Sequence, residues 1–172
     1  MPYYAENDRM SRTRTVALIG ILAASAVMLS FLERILPAPV PLPGVKLGLA
    51  NIVVIITLYR FGVREAIMVQ VLRILMFAAL FGGIGSAMYS FAGGTLSLGA
   101  MIAFKKFGIF SVIGVGVIGG VFHNVGQILI AALVVQSASL LMFLPVLIIS
   151  GEVAGFVTGL VAYYVLARLD KI

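Results

Sequence analysis

The stretch Gly119-Gly120-Val121-Phe122-His123-Asn124-Val125-Gly126-Gln127 carries the chain's single histidine, with an acid–base imidazole and two amides inside an otherwise apolar run. Gly116, Gly119, Gly120, His123 and Gln127 recur at offsets of three, four and seven, so on a helix they share one face, with Asn124 one step round. His123 and Gln127, one turn apart, can read donor and acceptor groups of a ligand, and Asn124 adds a third group that both donates and accepts. Glycines at this spacing admit a backbone or a flat ligand. Two further ionisable side chains, Arg73 and Glu152, sit in other apolar stretches.

These residues need elements to hold them. The chain has 172 residues, 62% hydrophobic and only 10% charged, with a mean hydropathy of +1.19. Ordinary soluble domains are about 25% charged, so lipid is the natural solvent for this one. The apolar runs are continuous rather than alternating, which favours helices over a barrel. Six spans are expected, at about Val16–Ile35, Leu47–Phe61, Arg64–Phe81, Ile84–Phe104, Ile109–Val135 and Leu140–Ala167. The expected fold is an all-α integral membrane bundle over 16–168, with a tail at 1–15 and a short end at 169–172.

Six crossings put both termini on one side. That side collects Arg9, Arg12, Arg14, Arg60, Arg64, Lys105, Lys106, Arg168 and Lys171, against Arg34 and Lys46 opposite. The excess places both termini in the cytoplasm. The net charge of +6 then describes a basic cytoplasmic face spread over loops, not a nucleic-acid module. The Pro37–Pro43 segment has proline at every second position. It is stiff and extended, either a rigid connector or a gate over the outer mouth.

In these spans Arg73, His123 and Glu152 each fall near the midpoint. A charge at that depth costs about 2.5–3.5 kcal/mol on the insertion scale, so the three are expected to face one another or a water-filled cavity. The alternatives are a buried Arg73–Glu152 ion pair and plain interhelical hydrogen bonds from His123, Asn124 and Gln127. Gly151, Gly155 and Gly159 form a double GxxxG run that reads as helix packing. Lys46 stands where the charged end of a ligand would enter, or snorkels to headgroups. Asn51, one turn into the second span, caps backbone groups or touches ligand.

Several chemistries have no residues to carry them. There is no GxxxxGK[ST] phosphate loop. The six carboxylates include no pair for magnesium–diphosphate work, and one histidine with no cysteine gives no metal spacing. No cofactor is expected. Such a chain works by binding and moving something, with energy from a gradient or another subunit.

LERILPAPVPLPGVKLGLANIV, Arg73 and GGVFHNVGQ together resemble the Gx transporter family, also labelled heptaprenyl diphosphate synthase component I, over roughly residues 16 to 168. The resemblance implies the six-helix fold of the substrate-binding S components of energy-coupling factor (ECF) transporters. It also implies a small-molecule cargo captured from outside, a transmembrane coupling subunit and two ATPases as partners, and roles for Lys46, Asn51, Arg73, His123, Asn124 and Gln127. S components carry a small-residue AxxxA face on the first helix for the coupling subunit. The nearest match here is Gly20-Ile21-Leu22-Ala23-Ala24, giving Gly20 and Ala24 as docking residues. Two other functions remain open: a non-catalytic membrane partner of a soluble prenyl synthase, docked on Arg60, Arg64, Lys105 and Lys106, and a proton-coupled carrier relaying through Glu152 and His123.

Overall fold

The computed structural model describes residues 12–35 and 48–169, all helices and short turns. The helices are α1 (Arg12–Ile35), α2 (Leu49–Arg60), α3 (Val63–Phe77), α4 (Gly83–Phe107), α5 (Val112–Val135) and α6 (Leu144–Leu169). A π-helical turn, Ala78–Gly82, joins α3 to α4, and a 3-10 turn, Ala138–Phe143, leads into α6. The Pro37–Pro43 segment and Lys46 lie outside the described residues.

Four helical stretches among the described residues are long and apolar enough to cross a membrane: Thr13–Ile35, Ala87–Phe107, Val112–Val135 and Ala138–Leu169. By length and composition this is a multi-pass membrane protein. The other two expected spans fall short. At about 1.5 Å per residue, the 12 residues of α2 cover only about 18 Å. α3, with 15 residues before the π turn, is also short, and it carries Arg64, Glu65, Gln70 and Arg73.

The helices fall into two groups. α1, α2 and α3 pack on one another, and α4 packs on α5, which packs on α6; α2 bridges to α5 and α6, and α3 to α4. The short α2 is the hub. Its Val54, Ile55 and Leu58 join Ala66, Leu98, Met101, Val115 and Ala162 in one core cluster, while Ala50 and Val53 join Ile19, Ala26 and Val69 in another. At its C-terminal end, where helix carbonyls lack intrahelical partners, Lys105 Nζ donates to the Leu58 carbonyl at 2.5 Å and lies 4.6 Å from the centre of the Tyr59 ring.

The α5–α6 seam is built on glycine. A Cβ on Gly116 would stand 2.6 Å from the Gly159 Cα, and one on Gly155 would stand 2.5 Å from the Gly116 carbonyl oxygen. On Gly120 it would collide with the Gly151 carbonyl. Backbone meets backbone along two turns, which only glycine permits. Gly119 and Gly126 face the other way, against Met101 and Ala92–Gly93 on α4, and Ser97 Oγ donates to the Gly119 carbonyl at 2.8 Å. The packing role expected for Gly151, Gly155 and Gly159 is what the structure shows. The ligand-facing role for Gly116 and Gly120 is not: α6 occupies that face.

Candidate functional site

Where the two helix groups part, at the end of the bundle where α1 stops and α2 starts, lies a cavity of about 270 Å³. Five helices contribute. α1 supplies Ser30, Glu33 and Arg34; Gly48 and Asn51 open α2; α3 supplies Arg73, Ile74 and Phe77, α4 Ser90 and α5 His123. Asn51, Arg73 and His123, named from sequence, thus meet around one space.

Each is held for a local reason. Gly48, in the left-handed region at φ 70°, turns the chain into α2 and presents its N–H to Glu33 Oε1 at 2.5 Å. A carboxylate there complements the positive end of the α2 dipole and satisfies one of its open donors. Arg34, next to it, donates through Nη1 to the Phe81 carbonyl in the π turn. Phe81 stacks with Phe31 at 4.7 Å and with Phe77 at 5.7 Å, forming an aromatic edge beside the cavity. On α4, Gly93 and Gly94 leave the room that the polar side chains use. A Cβ on Gly94 would collide with Gln70 Nε2, and one on Gly93 would stand 2.8 Å from Gln127 Cγ and from the His123 carbonyl oxygen.

The result is a buried polar cluster across α3 and α5, in the room that the α4 glycines leave. Gln70, Arg73, His123 and Gln127 are all buried. Arg73 Nε and Nη2, Gln70 Oε1 and Gln127 Oε1 have no hydrogen-bond partner among the described residues. Leaving one buried polar group unmade costs about 1–3 kcal/mol, more if charged. Of these residues Arg73 lines the cavity, and a fold that leaves its donors open there is suited to a polar occupant.

The remaining sequence-named residues separate. Asn124 is a tie between α5 and α6: its Nδ2 donates to the Leu147 carbonyl at 2.8 Å and to Ser150 Oγ at 3.2 Å. Gln127 is buried against Gly93 and does not line the cavity. Glu152 is not in the site. It is exposed on the flank of α6, in the same run as Ile149, Val153 and Phe156, which are 62%, 62% and 51% exposed. Gly151, Gly155 and Gly159 turn toward α5, so Glu152 is carried to the outer flank. Arg73 and Glu152 therefore make no ion pair, and no relay joins Glu152 to His123. Gly20 and Ala24 are exposed on α1, and Gly20 has nothing within 4 Å of a Cβ position.

Sequence reasoning missed Ser30, Glu33, Arg34, Gln70, Phe77 and Ser90. Gln70 carried a signal, since it lies three residues before Arg73 on a helix and so shares its face. Glu33 and Arg34 read as the charged boundary of a span, and nothing in their spacing shows that they turn inward.

The model of heptaprenyl diphosphate synthase component I matches residues 22–165. The chain belongs to that family. No curated protein matches it. The family's description speaks of a synthase component; among the described residues the carboxylates Glu33, Glu65 and Glu152 lie on three different helices, α1, α3 and α6.

Proposed function

We propose that this member of the heptaprenyl diphosphate synthase component I family is the substrate-binding subunit of an energy-coupling factor type transporter. It crosses the membrane six times with both termini in the cytoplasm and captures a small organic molecule on the outer side. The cargo class includes flavins, quinone precursors and isoprenoid precursors. A transmembrane coupling subunit docks on the exposed Gly20–Ala24 face of α1, and two ATPases supply the energy. The observation that carries the reading is the convergence of Asn51, Arg73 and His123 on one cavity of about 270 Å³ at the α1–α2 end of the bundle. Under the expected orientation this end faces outward, and concave sites with a few convergent polar groups are where small ligands bind. Lys46, just ahead of Gly48, meets the ligand's charged end at the entrance, and Gln127 and Asn124 support the cavity from behind. The test is mass spectrometry of small molecules that co-purify with the protein in mild detergent, with its protein partners identified in the same preparation. A stoichiometric ligand that disappears in Arg73→Ala and His123→Ala, together with co-purified ATPases, supports the reading. A preparation that carries no ligand and brings down a soluble prenyl synthase contradicts it.

The second reading is a non-catalytic membrane component that recruits a prenyl diphosphate synthase. The family's description favours it, as do Arg60, Arg64 and Lys106, which are exposed at helix ends. Loss of synthase binding on Arg60→Ala/Arg64→Ala, with the cavity residues intact, would establish it.

A further inference from the structure

The cavity also restricts what it can hold. Resting on the capture reading above, we infer that its ligand is a small organic monocarboxylate with a flat or short branched apolar body, not a flavin or a prenyl diphosphate.

Three observations lead there. The first is size. An engineered apolar cavity of about 150 Å³ takes benzene, so in proportion one of about 270 Å³ takes roughly eleven non-hydrogen atoms. A flavin's tricyclic ring with its ribityl chain is about twice that, and a long prenyl chain is larger still.

The second is charge. Among the described residues the cavity is lined by buried Arg73, half-buried Glu33, and Arg34, which is exposed and already donates to the Phe81 carbonyl, so a single buried cation faces the ligand. One anionic group neutralises it. A diphosphate brings more negative charge than these side chains offset, and Glu33 repels the excess. Buried charge is stable only when paired.

The third is shape. Arg73 is 7% exposed, and its two unpartnered nitrogens are Nε and Nη2. These carry the parallel N–H bonds along one edge of the guanidinium, the edge that matches the two oxygens of a carboxylate. A planar carboxylate that reaches this edge satisfies two buried donors together. Ile74 and Phe77, one and four residues on, form the apolar wall for the body of the ligand, while Asn51, Ser90 and His123 supply hydrogen bonds to any hydroxyl or carbonyl on it.

The test is thermal unfolding of the full chain in nanodiscs against a graded set of probes: 4-hydroxybenzoate, 2-naphthoate, their neutral carboxamides, isopentenyl diphosphate, riboflavin and FMN. A ligand that binds only the folded state raises its melting temperature in a saturable way. The inference expects this from at least one carboxylate and not from its carboxamide. Arg73→Lys keeps the charge and loses the planar fork, and should weaken that binding at least about tenfold. Phe77→Ala widens the apolar wall and should shift the preference from 4-hydroxybenzoate toward 2-naphthoate by about tenfold, a gain that a misfolded variant cannot produce. Saturable stabilisation by isopentenyl diphosphate or a flavin, lost in Arg73→Lys, overturns the ligand class and leaves capture standing. Carboxylate binding that ignores both substitutions, or no stabilisation by either carboxylate, overturns the inference, while the co-purified ligand decides the capture reading on its own.

Discussion

α5 takes part in two interfaces of opposite character. Toward α6 its Gly116 and Gly120 bring backbone against the backbone of Gly151, Gly155 and Gly159, leaving no room for a methyl group. Toward the α1–α3 group its His123 borders an open, polar cavity with unpartnered donors nearby. Lipid offers helices little hydrophobic drive to associate, so van der Waals contact and hydrogen bonds must supply it. The seam delivers that contact along its whole length. The cavity withholds it, and keeps polar groups whose partners a cargo can provide. On the proposed function, stability and binding fall on separate faces of one helix, so substitutions should divide the same way.

The largest expected effect is at the seam. Gly120→Leu drives a branched side chain onto the Gly151 carbonyl and should abolish folded protein, read as loss of the monodisperse peak in detergent. Gly120→Ala adds one methyl in the same place, an overpacking of about 1–3 kcal/mol. Neither should be rescued by ligand, because the added atoms meet the Gly151 carbonyl and the Gly155 backbone, which ligand cannot move aside. A Gly120→Leu protein that folds normally would show that the close α5–α6 contact is not needed for folding.

Next comes Arg73→Gln. It removes the buried charge and shortens the side chain, but it also takes an opposite charge away from Glu33, so the empty protein should melt close to the wild-type temperature. Ligand affinity should fall at least about tenfold, since charged hydrogen bonds are worth about 1.5–3 kcal/mol each. A loss of affinity with little change in melting separates ligand binding from helix packing at this position.

Asn124→Ala tests a residue that borders both regions. It loses its bonds to the Leu147 carbonyl and Ser150 Oγ. Hydrogen bonds between membrane helices average about 0.6 kcal/mol, so a small fall in melting temperature with unchanged ligand affinity is expected. A large affinity loss instead would move Asn124 from the seam to the site.

The smallest effect is expected from Glu152→Gln. Exposed on the α6 flank, it touches neither region, so ligand binding should be unchanged, and because a charge at mid-span costs free energy in lipid its removal should not lower the melting temperature. A loss of ligand binding would restore it to the site that its position along the span suggested.

That last residue shows where sequence reasoning stopped. Depth along a span follows from counting residues, and it found Arg73 and His123, both buried around the cavity. The direction in which a side chain faces depends on which stripe the helix commits to packing. In α6 that stripe is Gly151–Gly155–Gly159, visible in the sequence, and its GxxxG face already implied that Glu152, one residue on, stood about 100° round the helix. Helix ends were legible from the apolar runs: the expected Ile109–Val135 and Arg64–Phe81 correspond to α5 at Val112–Val135 and to α3 with its π turn, Val63–Gly82. The α1 contribution of Ser30, Glu33 and Arg34 was not legible. It depends on the end of α1 meeting the start of α2 and the π turn, contacts between segments distant in the chain that no local pattern encodes. Gln70 was legible by its offset from Arg73, but only once Arg73 was known to point inward.

The proposed function requires that Arg73 be kept buried for a ligand and not for the fold. The most direct measurement is the melting temperature of wild type and Arg73→Gln in nanodiscs, each stripped of ligand and then saturated with the molecule that co-purifies with wild type. Wild type should gain several degrees on saturation, while Arg73→Gln should start close to the stripped wild type and gain nothing. If the stripped Arg73→Gln protein melts far lower and still gains as much as wild type, the arginine holds the helices together and the cavity is not its purpose.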